Sequence, residues 1–358
     1  MSILTLCAAS DAELPSTSLQ ALAASRHLSD QLGGEDVHAL LVGSGVAGHA
    51  VGLIERGADG VFVVDHSRLG DHQAELVLGT LEEAVGRLSP EVVILPHDDL
   101  CGGHVGPRLA RRLETGIITD CTGIEVESDS IRWLRPVYGG KAMAFMIASG
   151  PMQIATMRAL AYQPLDADAS REGGVEDLDI DVDAISLHVP VVDRIVEEEE
   201  FAGRSLDRAD VVVSGGRGLG DEEGFENVKK LALALDAAIG GSRPAADSGW
   251  VPHSHLVGQT GKIVAPQLYI AIGISGAPQH MSGAGSAKTI VAINKDEDAP
   301  IFKTAHLGVV AEWENVIPAL IEELAKGSAG NARQEDQESE HEKARNPGSG
   351  CRWRNHGV

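Results

Sequence analysis

The stretch from Val257 to Asn294 reads VGQTGKIVAPQLYIAIGISGAPQHMSGAGSAKTIVAIN and contains two short apolar runs between glycine-rich turns. The runs, Leu268–Ile274 and Thr289–Ile293, are rich in isoleucine, valine and alanine. Short apolar runs bounded by glycine are typical of strands that are buried on both faces of a parallel sheet, whereas a buried helix would be longer. We therefore predict two parallel strands here.

Three polar loops flank these two strands. Gly258–Lys262 precedes the first strand, Ser275–His280 follows it, and Asn294–Asp296 follows the second. The carboxyl ends of parallel strands meet at one edge of a sheet, where a turn into a helix presents free backbone N–H groups to an anion. One such turn alone would more often be structural, but three in tandem favour a nucleotide site. Its candidate polar residues are Gln259, Thr260, Ser275, Gln279, His280 and Asn294.

The first half of the chain alternates strand and helix patterns, which predicts a parallel sheet with helices on both faces. The predicted strands are Ile3–Ala9, Val37–Val42, Gly60–Val64 and Glu91–Pro96, and the predicted helices are Thr17–Leu32, Ala47–Arg56, Gly70–Leu88 and Gly106–Glu114. Beyond Ile117 the pattern favours antiparallel or mixed strands. A last strand is predicted around Ile185–Val192, before a crossover to a second domain.

The second domain opens with a predicted strand at Asp210–Ser214 and a helix from about Gly224 to Ala238. A short strand near Val309 and a terminal helix at helical apolar spacing close it. We expect an α/β protein with two doubly wound, Rossmann-like domains and mostly parallel sheets. The predicted boundaries are 1–200 for the N-terminal domain, 201–326 for the C-terminal domain and 327–358 for a polar tail that we expect to be disordered.

Composition excludes several function classes. The chain of 358 residues carries 29 basic and 53 acidic side chains, a net charge of −24, which disfavours nucleic acid and anionic membranes as partners. The four cysteines are scattered and the 14 histidines show no metal-ligand spacing, so we predict neither a disulfide framework nor a metal. No basic leader, long apolar span or hydrolytic motif is apparent, and we expect a cytoplasmic protein without membrane insertion.

A second candidate site lies in the first domain. Gly43–Gly48 reads GSGVAG, a G-x-G-x-x-G pattern after a predicted strand and before a predicted helix, and Asp65 ends the next strand. This pattern is typical of a loop that binds the pyrophosphate of NAD, with the acid on the ribose. However, it follows the second strand of its domain rather than the first. We prefer a tight structural turn and keep an NAD-dependent dehydrogenase as the alternative.

The run LYIAIGISGAPQH, followed at a fixed distance by VAINKDEDAPIF, resembles the signature of the alpha subunit of electron-transfer flavoproteins. SGGRGLG, SRPAADSGWVPH and VGQTGK resemble the FAD domain of the same family, and RPVYGGKAM resembles a more variable segment of its first domain. The resemblance implies one FAD per heterodimer with a beta subunit, in which the N-terminal domain contacts the partner. AMP can occupy the partner subunit in this family.

The resemblance also implies a function and a role for each site residue. The family carries electrons from flavin dehydrogenases, such as the acyl-CoA dehydrogenases of fatty acid β-oxidation, to a membrane quinone oxidoreductase, with no catalytic residues of its own. Arg243 and Ser242 are expected against the isoalloxazine, and His280 near its pyrimidine carbonyl. Gln259 and Thr260 are expected at the polar edge of the ring and Asn294 at the adenosine end.

The complete predicted FAD site comprises Arg217, Ser242, Arg243, Val257, Gly258, Gln259, Thr260, Gly273, Ser275, Gly276, Ala277, Gln279, His280, Asn294, Lys295 and Glu312. The chain departs from the family pattern at Pro278, in the segment 305–308 and at Glu312, which weakens the expectation for the adenosine contacts more than for the flavin contacts. A bifurcating member of the family, with an additional flavin in the partner subunit, remains a further alternative.

Overall fold

The computed structural model describes residues 1–10, 13–128, 130–138, 140, 142–150, 152–191, 206 and 209–326. The chain divides into two compact units, Met1–Glu198 and Glu199–Val358. The tail predicted at 327–358 lies outside the described residues. Within the described ranges, no helix combines the length and the apolar character needed to cross a bilayer.

The first unit is built on a parallel sheet with helices on both faces. Its strands are β1 (Ser2–Ser10), β2 (Asp36–Ser44), β3 (Gly60–Asp65), β4 (Val92–His97), β5 (Ile117–Cys121), β6 (Gly123–Glu127), β7 (Ser130–Val137), β8 (Ala142–Met146), β9 (Gln153–Arg158) and β10 (Gly174–Asp177). Its helices are α1 (Ser16–Leu32), α2 (Ala50–Glu55), α3 (Ala74–Leu88) and α4 (Gly106–Arg112), with a π-helical turn over Cys101–Val105 before α4.

The main sheet of this unit has seven parallel strands in the order β10-β3-β2-β1-β4-β9-β5. Alternate residues of β1 enter the two core layers on opposite faces of the sheet: Ile3 and Cys7 pack on one face, and Leu4 and Leu6 on the other. Because both faces are covered, the strands read as continuous apolar runs. The four predicted strands and the parallel, doubly wound arrangement are confirmed.

The segment after Ile117 was expected to form antiparallel or mixed strands, and this holds in part. β6, β7 and β8 form a separate antiparallel sheet in which β8 is an edge strand. In contrast, β5 and β9 join the main sheet in parallel. The register of β5 on β9 shifts between Ile118 and Cys121, just before the chain enters the antiparallel sheet.

The prediction of a strand around Ile185–Val192 is wrong for its described part, because residues 185–191 form no strand. Ile185 instead packs against α3, close to Gly79, and belongs to the core on that face of the sheet. The following backbone N–H groups, of His188 and Val189, both donate to the Glu75 carboxylate, at 2.6 and 3.1 Å. A side chain therefore satisfies the backbone groups that a strand partner would otherwise bind.

The second unit contains one parallel sheet in the order β12-β11-β13-β14-β15. Its strands are β11 (Val211–Gly215), β12 (Ala238–Gly241), β13 (Leu268–Ile272), β14 (Thr289–Asn294) and β15 (Leu307–Val310). Its helices are α5 (Glu222–Ala234), α6 (Arg243–Asp247), α7 (Pro278–Ala284) and α8 (residues 313–326). The two strands predicted from the opening stretch are confirmed as β13 and β14, which pair in parallel.

The helix predicted from Gly224 to Ala238 ends earlier than expected. The Asp221 side chain accepts a hydrogen bond from the Gly224 N–H and caps α5, which begins at Glu222. The helix stops at Ala234, because Asp236 adopts a left-handed conformation with φ of 50°. Ala238 is the first residue of β12 rather than the last of the helix.

The glycine-rich loop after β2 is a structural turn that a carboxylate closes. Asp65, at the end of β3, accepts hydrogen bonds from the N–H groups of Gly45, Val46 and Ala47, at 2.7, 2.8 and 3.2 Å. A Cβ atom on Gly43 would lie 2.1 Å from the Ala9 carbonyl oxygen, so that glycine is required for close packing on β1. The donors that a pyrophosphate would need are thus already bound, which favours the turn over an NAD site.

We expect Asp65→Ala to expose these three N–H groups to exchange. A hydrogen bond of this kind contributes about 1 kcal/mol net, so the amides of Gly45, Val46 and Ala47 should exchange about five- to tenfold faster. Hydrogen–deuterium exchange with peptide-level mass spectrometry measures this directly. Asp65→Asn, which keeps an acceptor oxygen, is the matched control and should show a smaller effect. Equal protection in all three proteins would contradict the capping role.

We expect titration with NAD(H) to show no saturable binding to the intact chain, because the loop N–H groups are occupied. Isothermal titration calorimetry provides the measurement, and Gly45→Val is the comparison variant. If the unmodified chain bound NAD(H) saturably and Gly45→Val abolished that binding, the dehydrogenase interpretation would be restored.

Candidate functional site

A cavity of about 610 Å³ opens at the carboxyl ends of the strands in the second unit. Its size falls within the range of roughly 300–1,000 Å³ that is usual for small-molecule sites. Of the sixteen residues predicted to form the site, thirteen line the cavity: Arg217, Ser242, Arg243, Val257, Gly258, Gln259, Thr260, Gly273, Ser275, Ala277, Gln279, His280 and Asn294. Gly276, Lys295 and Glu312 are not among the lining residues.

The floor of the cavity is formed where the loop after β11 meets the loop after β13. The N–H groups of Gly216 and Gly218 donate to the carbonyls of Ile272 and Gly273, at 2.8 and 2.9 Å. A Cβ atom on Gly216 would lie 2.4 Å from the Gly273 carbonyl oxygen, and one on Gly218 would lie 2.8 Å from it. Two backbones therefore touch here with no side chain between them, which only glycine permits.

The turn from β12 into α6 carries Ser242 and Arg243. The Ser242 N–H donates to the Gly215 carbonyl at 2.9 Å, which fixes this turn to the end of β11. The Ser242 hydroxyl is buried and has no hydrogen-bond partner within the protein. The Arg243 side chain is 66% exposed, with Nε 3.5 Å from an Asp247 carboxylate oxygen one helical turn away. The turn thus contributes a buried neutral hydroxyl and an exposed positive charge.

The Gly258–Lys262 loop is tied to α7. The Gln259 N–H donates to the Gln279 carbonyl at 2.7 Å, and the Gly258 N–H donates to the Lys262 carbonyl at 3.1 Å. Gly258 has φ of 143° and lies so close to α7 that a Cβ atom would be 2.8 Å from the Gln279 carbonyl oxygen. As a result, the exposed side chains of Gln259 and Thr260 lie beside those of the turn into α7.

The turn after β13 is held by Gly276, which explains why this residue does not face the cavity. Gly276 has φ of 80°, and a Cβ atom would lie 2.4 Å from the backbone of Ile301. The Ile301 N–H also donates to the Ser275 carbonyl at 3.0 Å. Pro278 is the first residue of α7, where a helix has no partner for an N–H group, so this departure from the family pattern is compatible with the helix.

His280 is the most buried titratable residue that lines the cavity, with 7% of its surface exposed. Its Nε2 lies 2.9 Å from the Tyr269 hydroxyl on β13, and its Nδ1 has no hydrogen-bond partner. Burial lowers the pKa of His280 to about 4, although the nearby backbone of Val257 opposes part of the shift. The ring is therefore neutral at physiological pH and carries a single N–H.

Asn294 lines the cavity at the end of β14, but its amide group also supports the loop. Its Nδ2 donates to the Ile274 carbonyl at 3.0 Å, and its Oδ1 accepts from the Asp296 N–H at 3.1 Å. Lys295 and Glu312 form an ion pair with 3.6 Å between Nζ and the carboxylate, and both side chains are more than half exposed. These two residues lie at the surface, outside the cavity lining.

Six lining residues were missed by sequence reasoning: Gly218, Pro244, Leu256, Ile274, Asp296 and Ala299. Five of them, Gly218, Pro244, Ile274, Asp296 and Ala299, lie within the motifs quoted above, so their positions carry a usable signal. Leu256 lies outside those motifs and looks like an ordinary apolar core residue in the sequence. Among the described residues, no group of three histidine, cysteine or acidic side chains is arranged to bind a metal.

Comparison with known proteins gives one family for both units. Residues 3–183 match the profile of the electron transfer flavoprotein domain, and residues 205–285 match that of the electron transfer flavoprotein FAD-binding domain.

Individual relatives match over most of their length. The chain is 39% identical to the electron transfer flavoprotein subunit alpha of Thermoanaerobacterium thermosaccharolyticum over 316 residues, covering 88% of this chain and 94% of that protein. It is 38% identical to the subunit alpha of Bacillus subtilis, again covering 88% and 94%. It is also 37% identical to Protein FixB of Clostridium saccharobutylicum, covering 87% and 92%. The chain therefore belongs to the electron transfer flavoprotein alpha-subunit family.

Proposed function

We propose that this chain is the FAD-binding alpha subunit of an electron carrier that works without substrate turnover of its own. It takes electrons from flavin dehydrogenases, such as acyl-CoA dehydrogenases, and delivers them to a quinone oxidoreductase at the membrane. The family membership supports the carrier role, and the match of residues 205–285 to an FAD-binding domain supports the cofactor. The cavity in the second unit is where we expect FAD to bind.

The observation that carries this proposal is a pair of unpartnered buried polar atoms in residues that line the cavity, Ser242 Oγ and His280 Nδ1. A buried polar group without a partner costs roughly 1–3 kcal/mol, so such a group in the wall of a cavity favours a ligand that satisfies it. A flavin ring, whose pyrimidine edge carries carbonyl oxygens and nitrogens, supplies partners of the right kind. The residues present therefore fit the cofactor.

The remaining polar residues of the cavity fit the two ends of FAD. Arg217 and Arg243 are exposed cations at the cavity, suited to phosphate or to negative charge on a reduced flavin. Gln259 and Thr260 present hydrogen-bonding side chains from the loop that is fixed to α7. FAD, when bound, supplies the chemistry, because it accepts and releases electrons reversibly. The protein binds, orients and electrostatically tunes it.

The proton-transfer groups at the cavity argue for a carrier rather than a hydride-transferring dehydrogenase. Among the described lining residues, Asp296 is the one carboxylate and His280 the one histidine. Since His280 is neutral and hydrogen-bonded to Tyr269, it does not form an acid–base pair with Asp296 in this structure.

We further propose that the beta subunit covers β8 and the residues around it. Met143, Phe145 and Met146 on this edge strand are 52, 42 and 41% exposed, and the following Ile147 is 63% exposed. A contiguous group of exposed apolar side chains on an edge strand is typical of an interaction surface. Its position in the first unit agrees with the expected role of the N-terminal domain in the heterodimer.

A bifurcating carrier remains the second candidate, since a protein named FixB matches at 37% identity, close to the 39% of a subunit alpha. The flavin content separates the two. Coexpression with a beta subunit should give a yellow complex with one FAD for a simple carrier and two for a bifurcating one. For a simple carrier, an acyl-CoA dehydrogenase with its substrate should reduce the complex, and a quinone oxidoreductase should reoxidise it. A colourless complex would contradict the proposal.

We expect Arg243→Ala to lower the reduction potential of bound FAD. A unit charge about 4 Å away is worth roughly 1 kcal/mol in water, or about 45 mV for one electron, and up to roughly 4 kcal/mol in a less polar site. The lower figure is appropriate because Arg243 is largely exposed in this chain. Spectroelectrochemical titration of the FAD-loaded complex measures the potential.

Two variants provide the controls for Arg243. Arg243→Lys keeps the charge and should retain most of the potential while losing the planar guanidinium contact. Arg111→Ala removes another exposed arginine that also pairs with a nearby acid, Glu114, but lies in the first unit, so it should change nothing. An unchanged potential in Arg243→Ala would show that this arginine is only a surface charge.

We expect Ile147→Glu combined with Met143→Glu to prevent assembly with the beta subunit, because burying two carboxylates in an apolar contact is unfavourable. Affinity purification through a tag on the beta subunit would recover little of the variant alpha chain. The matched control is Val51→Glu, since Val51 is 61% exposed on α2 of the same unit. Recovery of the double variant at the level of Val51→Glu would place the subunit contact elsewhere.

A further inference from the structure

Tyr269 and His280 form a buried hydrogen-bonded pair behind the cavity. Tyr269 is fully buried on β13, and its hydroxyl oxygen lies 2.9 Å from Nε2 of His280 on α7. The two rings are tilted by 53° with 6.1 Å between their centroids, so the contact is between the polar atoms rather than a stack. His280 lines the cavity, whereas Tyr269 is not among the lining residues.

Tyr269 and His280 carry one exchangeable side-chain proton each. Burial raises the pKa of the Tyr269 hydroxyl, so it keeps its one proton at physiological pH. His280 is neutral and also carries one N–H, on either Nδ1 or Nε2. The hydrogen bond between them therefore has two possible directions. If Tyr269 donates, the ring proton is on Nδ1; if Nε2 donates, Nδ1 is a bare acceptor.

The surroundings of the Tyr269 hydroxyl favour one of these directions. Among the described residues its hydrogen-bond partner is Nε2 of His280, and the Ser214 hydroxyl on β11 forms no hydrogen bond. If Nε2 donated, the buried proton of Tyr269 would have no acceptor, which is unfavourable for a buried donor. If Tyr269 donates, the ring proton lies on Nδ1, where an acceptor in the cavity that His280 lines can bind it.

We propose that Tyr269 is a positioning residue that fixes the tautomer of His280: its hydroxyl donates to Nε2 and so places the ring proton on Nδ1. Nδ1 is the ring nitrogen without a partner in the protein. His280 consequently offers the ligand a neutral N–H donor, which selects a carbonyl or another acceptor and rejects a donor. The identity of that ligand as FAD rests on the proposed function, but the tautomer is a property of this chain alone.

The tautomer can be read without FAD. Long-range ¹H–¹⁵N correlation spectra of the full chain labelled with ¹⁵N-histidine separate protonated from unprotonated ring nitrogens, and His280→Gln identifies the signals of His280. We expect a protonated Nδ1 in the unmodified chain and a mixture of both tautomers in Tyr269→Phe. A protonated Nε2 in the unmodified chain would overturn the proposal, and that measurement needs no variant to fold.

Tyr162→Phe is the matched control. Tyr162 is a partly buried tyrosine whose hydroxyl accepts a hydrogen bond from the Ile124 N–H at 3.1 Å, but it belongs to the first unit. Loss of this hydroxyl should leave the His280 signals unchanged. If Tyr269→Phe also left His280 with only Nδ1 protonated, Tyr269 would not set the tautomer.

The functional effect is measured in the FAD-loaded complex with the beta subunit. Tyr269→Phe should weaken FAD binding about five- to tenfold, the value of one neutral hydrogen bond, and lower the potential of FAD, while Tyr162→Phe should do neither. If the unmodified complex bound no FAD, the proposed function would fail while the spectra still decided the tautomer. If both complexes bound FAD equally and at the same potential, the positioning role would be rejected and the proposed function kept.

Discussion

The cavity depends on the backbone contact between Gly216 and Gly218 on one side and Gly273 on the other. Because no side chain separates the two loops, the ends of β11 and β13 can be joined by hydrogen bonds between main-chain groups. The turn after β12 and the end of β14 are then attached to this pair, because the Ser242 N–H donates to the Gly215 carbonyl and the Gly273 N–H donates to the Ile293 carbonyl. Four strand ends are thereby held in one rigid rim, and the side chains that project from it converge.

Charge is distributed in this site according to the cost of desolvation. The two arginines are exposed, whereas the buried polar groups, Ser242, His280 and Tyr269, are all neutral. A buried cation without a partner would be far more expensive than a buried neutral donor. The structure therefore combines full charges at the solvent side with short-range hydrogen-bond donors inside. The exposed arginines select a ligand by its overall charge, whereas the buried groups select it by the hydrogen-bond donors and acceptors that it carries.

The fold and most of the cavity lining were predictable from the sequence because both follow from strand ends. Apolar runs bounded by glycine identified β13 and β14, and the common edge of parallel strands brought Gln259, Ser275 and Asn294 together. The sequence does not distinguish an apolar segment that pairs with a neighbouring strand from one that packs against a helix. The strand prediction therefore includes Ile185, although this residue lies against α3.

Other features of the site had no signal in the sequence. Leu256 lines the cavity but resembles any core residue, and the pairing of Lys295 with Glu312 depends on a surface geometry that spacing does not reveal. The early end of α5 follows from the left-handed conformation of Asp236, a residue that a helix interior would also accept.

The carboxylate of Asp65 gives the first unit a ligand of its own. Its glycine loop has the form of a nucleotide-binding loop, but an internal anion takes the position that an external one would fill. Because this anion is part of the chain, the loop holds its conformation at any concentration of dissolved phosphate or nucleotide.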